Sequence, residues 1–508
     1  MKHIKIFFFS FLAVTLFSCT KLDERFRGEL EQGNTGNITA AELLISAYNS
    51  LNGPFQHGDF WQAQQQTSDE TIAPTRAGDW DDNGQWRALH GHTWNADQNN
   101  LRGAYNGLLG AQFAASNVLQ FKPSTQQAAE ARFIRALTMT AVLDGWDQVP
   151  YREDLSNYKI VPKTLKGVEV ADFVISELNA IINDLPDAAD AFVANKNAAR
   201  VLLMKTYINK GVYVNRAAPT FDAGDMTQVI TLADQIISSG KYSLNDVFFD
   251  NFAPDNDIKS KENIYTLYNK NGDRGGGVDG SAISVYHYNM TPKGNNGFST
   301  LSDFYDKFEA NDQRRGIYYT YPAALPNPGH RVNVGFLIGQ QYDLTTDQPL
   351  TDRKGNPLIF SREVKLKETD PNTLELTGIR VNKYPYDYLH LQQQSDNDFA
   401  IFRYPDVLLM KAEALMRTEK APEALIIVNE LRTKRGATPM ASLDLNALID
   451  ERGRELYWEG WRRQDLIRFG KFLEPWQEKA ADDPKNLLFP IPNDQLAINP
   501  NLQQNPGY

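Results

Sequence analysis

"FRYPDVLLMKAEALMRTEKAPEALIIVNELRTKRG", residues 402–436, carries two apolar stripes separated by a turn. Leu408, Leu409, Ala412, Leu415 and Met416 recur at intervals of three and four, and after "TEKAP" so do Ala424, Ile427, Val428 and Leu431. That period belongs to an α-helix that buries one face. So short a turn makes the two helices antiparallel neighbours. Pro422 falls in a first turn, where a missing N–H costs nothing, and Gly436 follows the basic "RTKR" as a stop.

The layout occurs twice more. "NAARVLLMKTYINKG" (197–211) and "MTQVITLADQIISSGK" (226–241) form one pair, with Val229, Leu232, Ala233 and Ile236 as a stripe. "AEARFIRALTMTAVLDGW" (129–146) and "VEVADFVISELNAIIND" (168–184) form another, with Val170, Phe173, Val174, Leu178 and Ile181 on one face. Alanines on the stripes let helices approach closely, as stacked helix pairs require. These are read as tetratricopeptide-like pairs although the repeat's full consensus is absent; an irregular bundle is the alternative. Between about 246 and 395 the texture changes to Gly, Asn, Pro and Tyr with short alternating runs such as "RVNVGFLIG". The expected fold is mainly α: a helix-pair scaffold over about 37–245 and 396–472, a large loop and short-strand insertion over 246–395, and a C-terminal loop segment 473–508, all within one domain, 37–508. Long loops on a rigid frame are where function is usually carried.

The N-terminus reads as an export signal. "MKHIKIFFFSFLAVTLFSC" has a basic start, an apolar run and small residues before Cys19, and its apolar part is too short for a mature membrane span. Cys19 is the only cysteine, so no intrachain disulfide can form. "LFSC" resembles a bacterial lipobox, which implies cleavage after residue 18 and lipid on Cys19. Residues 19–36, polar and glycine-containing, suit a tether. Losing residues 1–18 removes two lysines and no acids, taking the net charge from −11 to about −13. So acidic a body argues against nucleic acid and against electrostatic adhesion to anionic lipid, leaving the acyl chains as the membrane anchor.

"FRYPDVLLMKAEALMR", "ERGRELYWEGWRRQDLIRFGKF" (451–472) and "LFPIPNDQLAINPNLQQNPGY" (488–508) resemble blocks of the RagB/SusD family, surface lipoproteins of Bacteroidetes nutrient-uptake systems. "AEARFIRALTMTAVLDGWDQVPYRED" (129–154) and "FYDKFEANDQRR" (304–315) resemble further blocks, in the expected order. The resemblance implies a non-catalytic glycan-binding protein that closes as a lid over a SusC-like TonB-dependent transporter at the outer membrane surface, where "KLDE" after Cys19 resembles a surface-export signal. Members that bind peptides or other nutrients keep that alternative open, and an all-helical glycosidase is a more distant one.

A sugar presents an apolar face of axial hydrogens and a rim of hydroxyls, so its site needs flat rings edged by carboxylate, amide and guanidinium groups. "RAGDWDDNGQWRALHGHTWN" (76–95) supplies both on an aperiodic stretch read as a loop. Arg76, Asp79 and Asp81 flank Trp80, the first candidate platform; Trp86 is the second, and Trp94 is expected in the core. By the family resemblance Phe298, in "NGFS", matches the family's other aromatic, with Tyr286 or Tyr288 completing an arc. Asp79, Asp81, Asn83 and Gly84 follow the start of an EF-hand loop, but His90 stands where the closing Glu belongs, so a structural calcium there is only a weak reading and no cofactor is expected. His90 and His92 lack a third nitrogen or sulfur ligand for zinc. Glu451, Glu455 and Glu459, spaced by four, are where a glycosidase would keep its acid and base. Their arginine neighbours favour ionised, structural acids, and the spacing predicts ion pairs from Asp450 and Glu451 to Arg454. No catalytic or metal-ligating residue is therefore expected. If Cys19 carries the anchor, a Cys19→Ala chain is expected to leave the membrane fraction, which fractionation and metabolic labelling with a fatty acid would test.

Overall fold

The computed structural model describes residues 38–508 apart from 153–154, 158, 188, 275–276, 322–330, 344–345 and 392–393. The signal segment, Cys19 and the tether lie outside the described residues. The scaffold helices are α1 (Ala40–Ser50), α2 (Asn99–Val118), α3 (Thr125–Trp146), α4 (Val168–Ile181), α5 (Lys196–Val214), α6 (Ala223–Ser238), α7 (Tyr404–Arg417), α8 (Ala421–Lys434), α9 (Leu445–Leu456) and α10 (Arg462–Arg468). Thr39 with Glu42 closes a capping box on α1, Ser124 with Gln127 does the same on α3, and Asn195 and Asp222 cap α5 and α6.

From α1 to α8 each helix packs on the next, giving a continuous helix-pair stack. α6 packs directly on α7 although the whole loop-rich segment separates them in the chain. The stack therefore continues across that segment. Buried Ala104, Ala111, Ala115, Ala131, Ala136 and Ala141 line the contacts of α2 and α3. α7 departs from a single stripe: Asp406 and Glu413 are as buried as Leu409 and Leu415, because α6, α8 and α9 surround it.

The segment between α6 and α7 holds short elements. Its entry strand Asn263–Leu267 pairs antiparallel with the exit strand Phe399–Arg403, which closes its base. Val334–Leu337 lies between Gly316–Ile317 and Arg380–Asn382. All four of its residues are buried, so the alternation read in "RVNVGFLIG" is covered on both faces. Thr75–Arg76 runs parallel to Lys367–Glu368 and joins the N-terminal half to the insertion.

Buried charge ties these parts together. The Glu455 carboxylate accepts from Arg314 at 3.1 Å, Arg403 at 3.0 Å and Arg435 at 2.9 Å. Arg403 also reaches Glu262 and Glu459, and Arg435 reaches Glu262. Glu451 takes Arg314, Arg432 and Arg454, while Asp312, Glu309 and Lys383 complete the cluster. Six cations thus meet six carboxylates, and no net charge is buried. The expected Glu451 to Arg454 pair is present, but Asp450 instead pairs with Lys307. Glu459 also departs from expectation: α9 ends at Leu456, and Glu459 comes back into the cluster through a turn in which Trp458 has φ +59°.

Burial alone would raise these carboxyls, but the surrounding guanidinium groups hold Glu451 and Glu455 down to about 2. A folded-state pKa below the ordinary 4.5 contributes stability that is present above that value and lost as the pH falls towards 2. Glu455→Gln leaves three arginines short of a carboxylate and is expected to cost about 3–5 kcal/mol at neutral pH, measured by urea unfolding. The wild-type chain is expected to lose stability progressively across that acid window, read by circular dichroism.

Candidate functional site

The loop of residues 76–84 is wound tightly. The N–H of Arg76 donates to the Asp79 carbonyl and that of Asp79 to the Arg76 carbonyl, and left-handed φ values occur at Ala77 (57°), Trp80 (60°), Asp82 (39°), Asn83 (55°) and Gly84 (79°). A large aromatic residue with φ above zero is strained, and such strain persists only where the surroundings over-determine it. Here they do. Trp80 Nε1 donates to the Asn295 carbonyl at 2.8 Å, and the indole lies on Gly297, where a Cβ would come within 2.2 Å of the ring. Behind it stand Phe298 at 5.2 Å and Trp86 at 5.8 Å between ring centroids. The stretch that reads as aperiodic then turns helical over Gln85–His90.

Of the eight residues singled out in the sequence, Asp79, Trp80, Asp81 and Tyr288 reach the surface. Arg76, Trp86, Tyr286 and Phe298 do not. Tyr286 and Phe298 are 0% and 1% exposed and sit in the core, so neither ring presents a face to a ligand. Trp86 is buried, its Nε1 donating to Asp82. The Arg76 guanidinium donates to the carbonyls of Asn296, Leu374 and Thr377 and to the Thr377 hydroxyl, so it pins the loop from below. Burial lowers it to about 10. Trp94 is in the core as expected, bonded to the Tyr508 hydroxyl.

At the exposed rim, Asp79 accepts from the Tyr288 hydroxyl at 2.8 Å. Arg353, which the sequence did not single out, lies 4.0 Å over the Tyr288 ring and 3.8 Å from Asp79, and donates to Glu375 at 2.6 Å. His287 bonds the other Glu375 oxygen at 2.8 Å. Burial and then the Asp79 carboxylate push Tyr288 up to about 12. Burial would raise Glu375, but the Arg353 backbone and side chain and His287 outweigh it and hold it low. Gly78, Asp79, Tyr288, Arg353, Lys354 and Asn372 line part of a cavity of about 340 Å³ beside the indole loop. Arg353, Glu375 and Asn295 could not be found from local pattern, because they come from separate loops far along the chain.

The calcium reading of this loop does not hold. Asp79 is turned to Tyr288, Asp81 is paired with Arg87 at 2.5 Å, and buried His90 bonds the Thr71 and Gln477 carbonyls. Among the described residues the one group of three suited to a metal is Asp387, His390 and Asp396, with ligand atoms within 4.8 Å. Lys270 already pairs with Asp396 and His390 with Asp387. Glu451, Glu455 and Glu459 are buried and ion-paired.

A profile of the SusD family matches residues 245–485. The starch-binding protein SusD of Bacteroides thetaiotaomicron is 28% identical over 420 residues, 75% of this chain and 73% of that protein. The chain is similar to proteins of the RagB/SusD family over much of its length. Solved structures share the fold: surface glycan-binding protein A of Bacteroides thetaiotaomicron, in complex with laminarihexaose, superposes with a TM-score of 0.65 at 18% identity, over 92% of this chain and 98% of the other. A SusD superfamily protein from Parabacteroides distasonis gives 0.70 at 18% identity over the same shares. Among the described residues no helix is long and apolar enough to cross a membrane.

The seat of Trp80 depends on Gly297. Gly297→Ala is expected to lift the indole off its bed, shifting tryptophan emission to the red while the far-ultraviolet spectrum stays unchanged. An unshifted emission spectrum would show that the loop does not depend on that contact.

Proposed function

We propose that this protein is a cell-surface glycan-binding lipoprotein that captures an oligosaccharide and serves as the lid of a SusC-like TonB-dependent transporter in the outer membrane, anchored through Cys19. The observation that carries the binding half is Trp80: a half-buried indole seated on Gly297, Phe298 and Trp86, with its only side-chain donor satisfied by the Asn295 carbonyl. What such a ring offers is an apolar plane of the kind a pyranose face needs. In this reading Asp79, the neighbour of Trp80 in the chain, and Arg353, 3.8 Å from Asp79, bond hydroxyls of the stacked sugar. Support also comes from the starch-binding relative and from the fold shared with a protein solved with laminarihexaose. The lid role and the transporter rest on the family resemblance.

In this reading Trp80 and Asp79 touch ligand, with Tyr288 and Arg353 beside them, while Arg76, Trp86, Tyr286 and Phe298 support them from behind. Trp80→Ala is expected to weaken oligosaccharide binding by at least about tenfold, about 1.4 kcal/mol, while the far-ultraviolet circular dichroism of the fold is retained. Calorimetry against a glycan panel measures this. Saturable binding to peptides with silence across glycans would move the ligand class, and release of product from an incubated oligosaccharide would overturn the non-catalytic reading.

A further inference from the structure

A cavity of about 520 Å³ shares no lining residue with the cavity lined by Gly78, Asp79 and Tyr288. Met290, Val332, Leu337 and Ile338 form an apolar wall, and Arg315, Gln340 and Gln341 line the same space. Val332 and Ile338 are 50% and 36% exposed, so the wall is open to solvent.

Two arginines line this cavity, and they are used differently. Arg331 is paired with Asp347 and stacked 3.8 Å over Tyr342. Arg315 has no carboxylate partner among the described residues. Its Nε and Nη2 donate to the Tyr305 hydroxyl at 2.9 and 2.5 Å, and its guanidinium carbon lies 4.6 Å from the Tyr305 ring centroid. Both hydrogens on Nη1 and one on Nη2 remain, which together make the end-on fork that a carboxylate fills with two parallel bonds. The contrast with Arg314 is sharp: the preceding residue is wholly buried and bound to three carboxylates. Gln340 and Gln341 spend their amide N–H groups on the carbonyls of Gln341, Leu350 and Gly339. Their Oε1 atoms accept nothing among the described residues, and so suit hydroxyl donors.

We propose that this cavity is a second saccharide subsite that takes a carboxylate-bearing sugar. The carboxylate sits on the Arg315 fork, hydroxyls donate to Gln340 and Gln341, and the apolar face of the ring lies against Val332 and Ile338. An unpaired guanidinium beside an apolar wall attracts an anion more strongly than one in open water. The inference rests on the glycan-binding reading above and adds the charge of one sugar unit to it.

The test is calorimetry of the full mature chain against uronate-containing oligosaccharides and their carboxyl-reduced counterparts, which differ only in that group. Wild type is expected to bind at least one acidic form about tenfold more tightly than its reduced form, an advantage that shrinks with added salt. Arg315→Gln is expected to abolish the preference while leaving affinity for the reduced form unchanged. Arg315→Lys, which keeps the charge without the fork, should retain part of it, and circular dichroism checks the fold of both. Equal binding of acidic and reduced forms throughout, or a preference that survives Arg315→Gln, overturns the subsite and leaves the glycan-binding reading standing. Silence across both forms overturns the two together.

Discussion

Glu455 is the point through which the two halves of the architecture are joined. Its carboxylate lies on the last turn of α9, and the three arginines around it come from the insertion (Arg314), from the strand that closes the insertion (Arg403) and from the end of α8 (Arg435). Hydrophobic contact would hold these parts together but not fix their register, because apolar surfaces slide at little cost. Bidentate and forked guanidinium bonds accept one geometry. The charge balance matters as much: with six cations against six carboxylates, losing one member leaves a buried charge uncompensated, so the cluster resists piecemeal change. The insertion is thereby a fixed platform rather than a loose appendage.

The indole loop depends on that platform. Trp80 is held by Asn295 and Gly297, which belong to the insertion, and Arg76 is held by Asn296, Leu374 and Thr377, which also belong to it. A strained backbone with five left-handed φ values in eight residues persists only because contacts from another part of the chain hold it. The order of dependence runs from charge cluster to insertion, from insertion to loop, and from loop to ring.

The helical frame was legible in the sequence because its signals are local. The stripe at Val229, Leu232, Ala233 and Ile236 is buried, as are Ala424, Val428 and Leu431 of the next, with Ile427 half-buried, and Gly436 stands where α8 stops. Legibility failed where burial is decided by distant segments. Phe298 and Trp86 were chosen as rings that could meet a sugar, yet ring type says nothing about which face is covered. Arg76 failed for the same reason: a guanidinium beside a tryptophan looks like a ligand contact until the carbonyls of residues 296, 374 and 377 are placed around it. Arg353 and Glu375 were missed because their meeting with Tyr288 brings together three loops that share no local pattern.

The rim also sets a constraint on how a ligand can sit. The Tyr288 hydroxyl hydrogen is spent on Asp79, and Arg353 covers one face of its ring. Stacking on that face would displace a guanidinium already bonded to Glu375 and lose that charge-assisted bond. Trp80 carries no such cost. Its one donor is satisfied within the protein and its seat is already ordered, so binding there loses little conformational entropy. In the proposed binding mode, affinity would come from the single indole plane and selectivity from Asp79 and Arg353, which lie 3.8 Å apart at the rim.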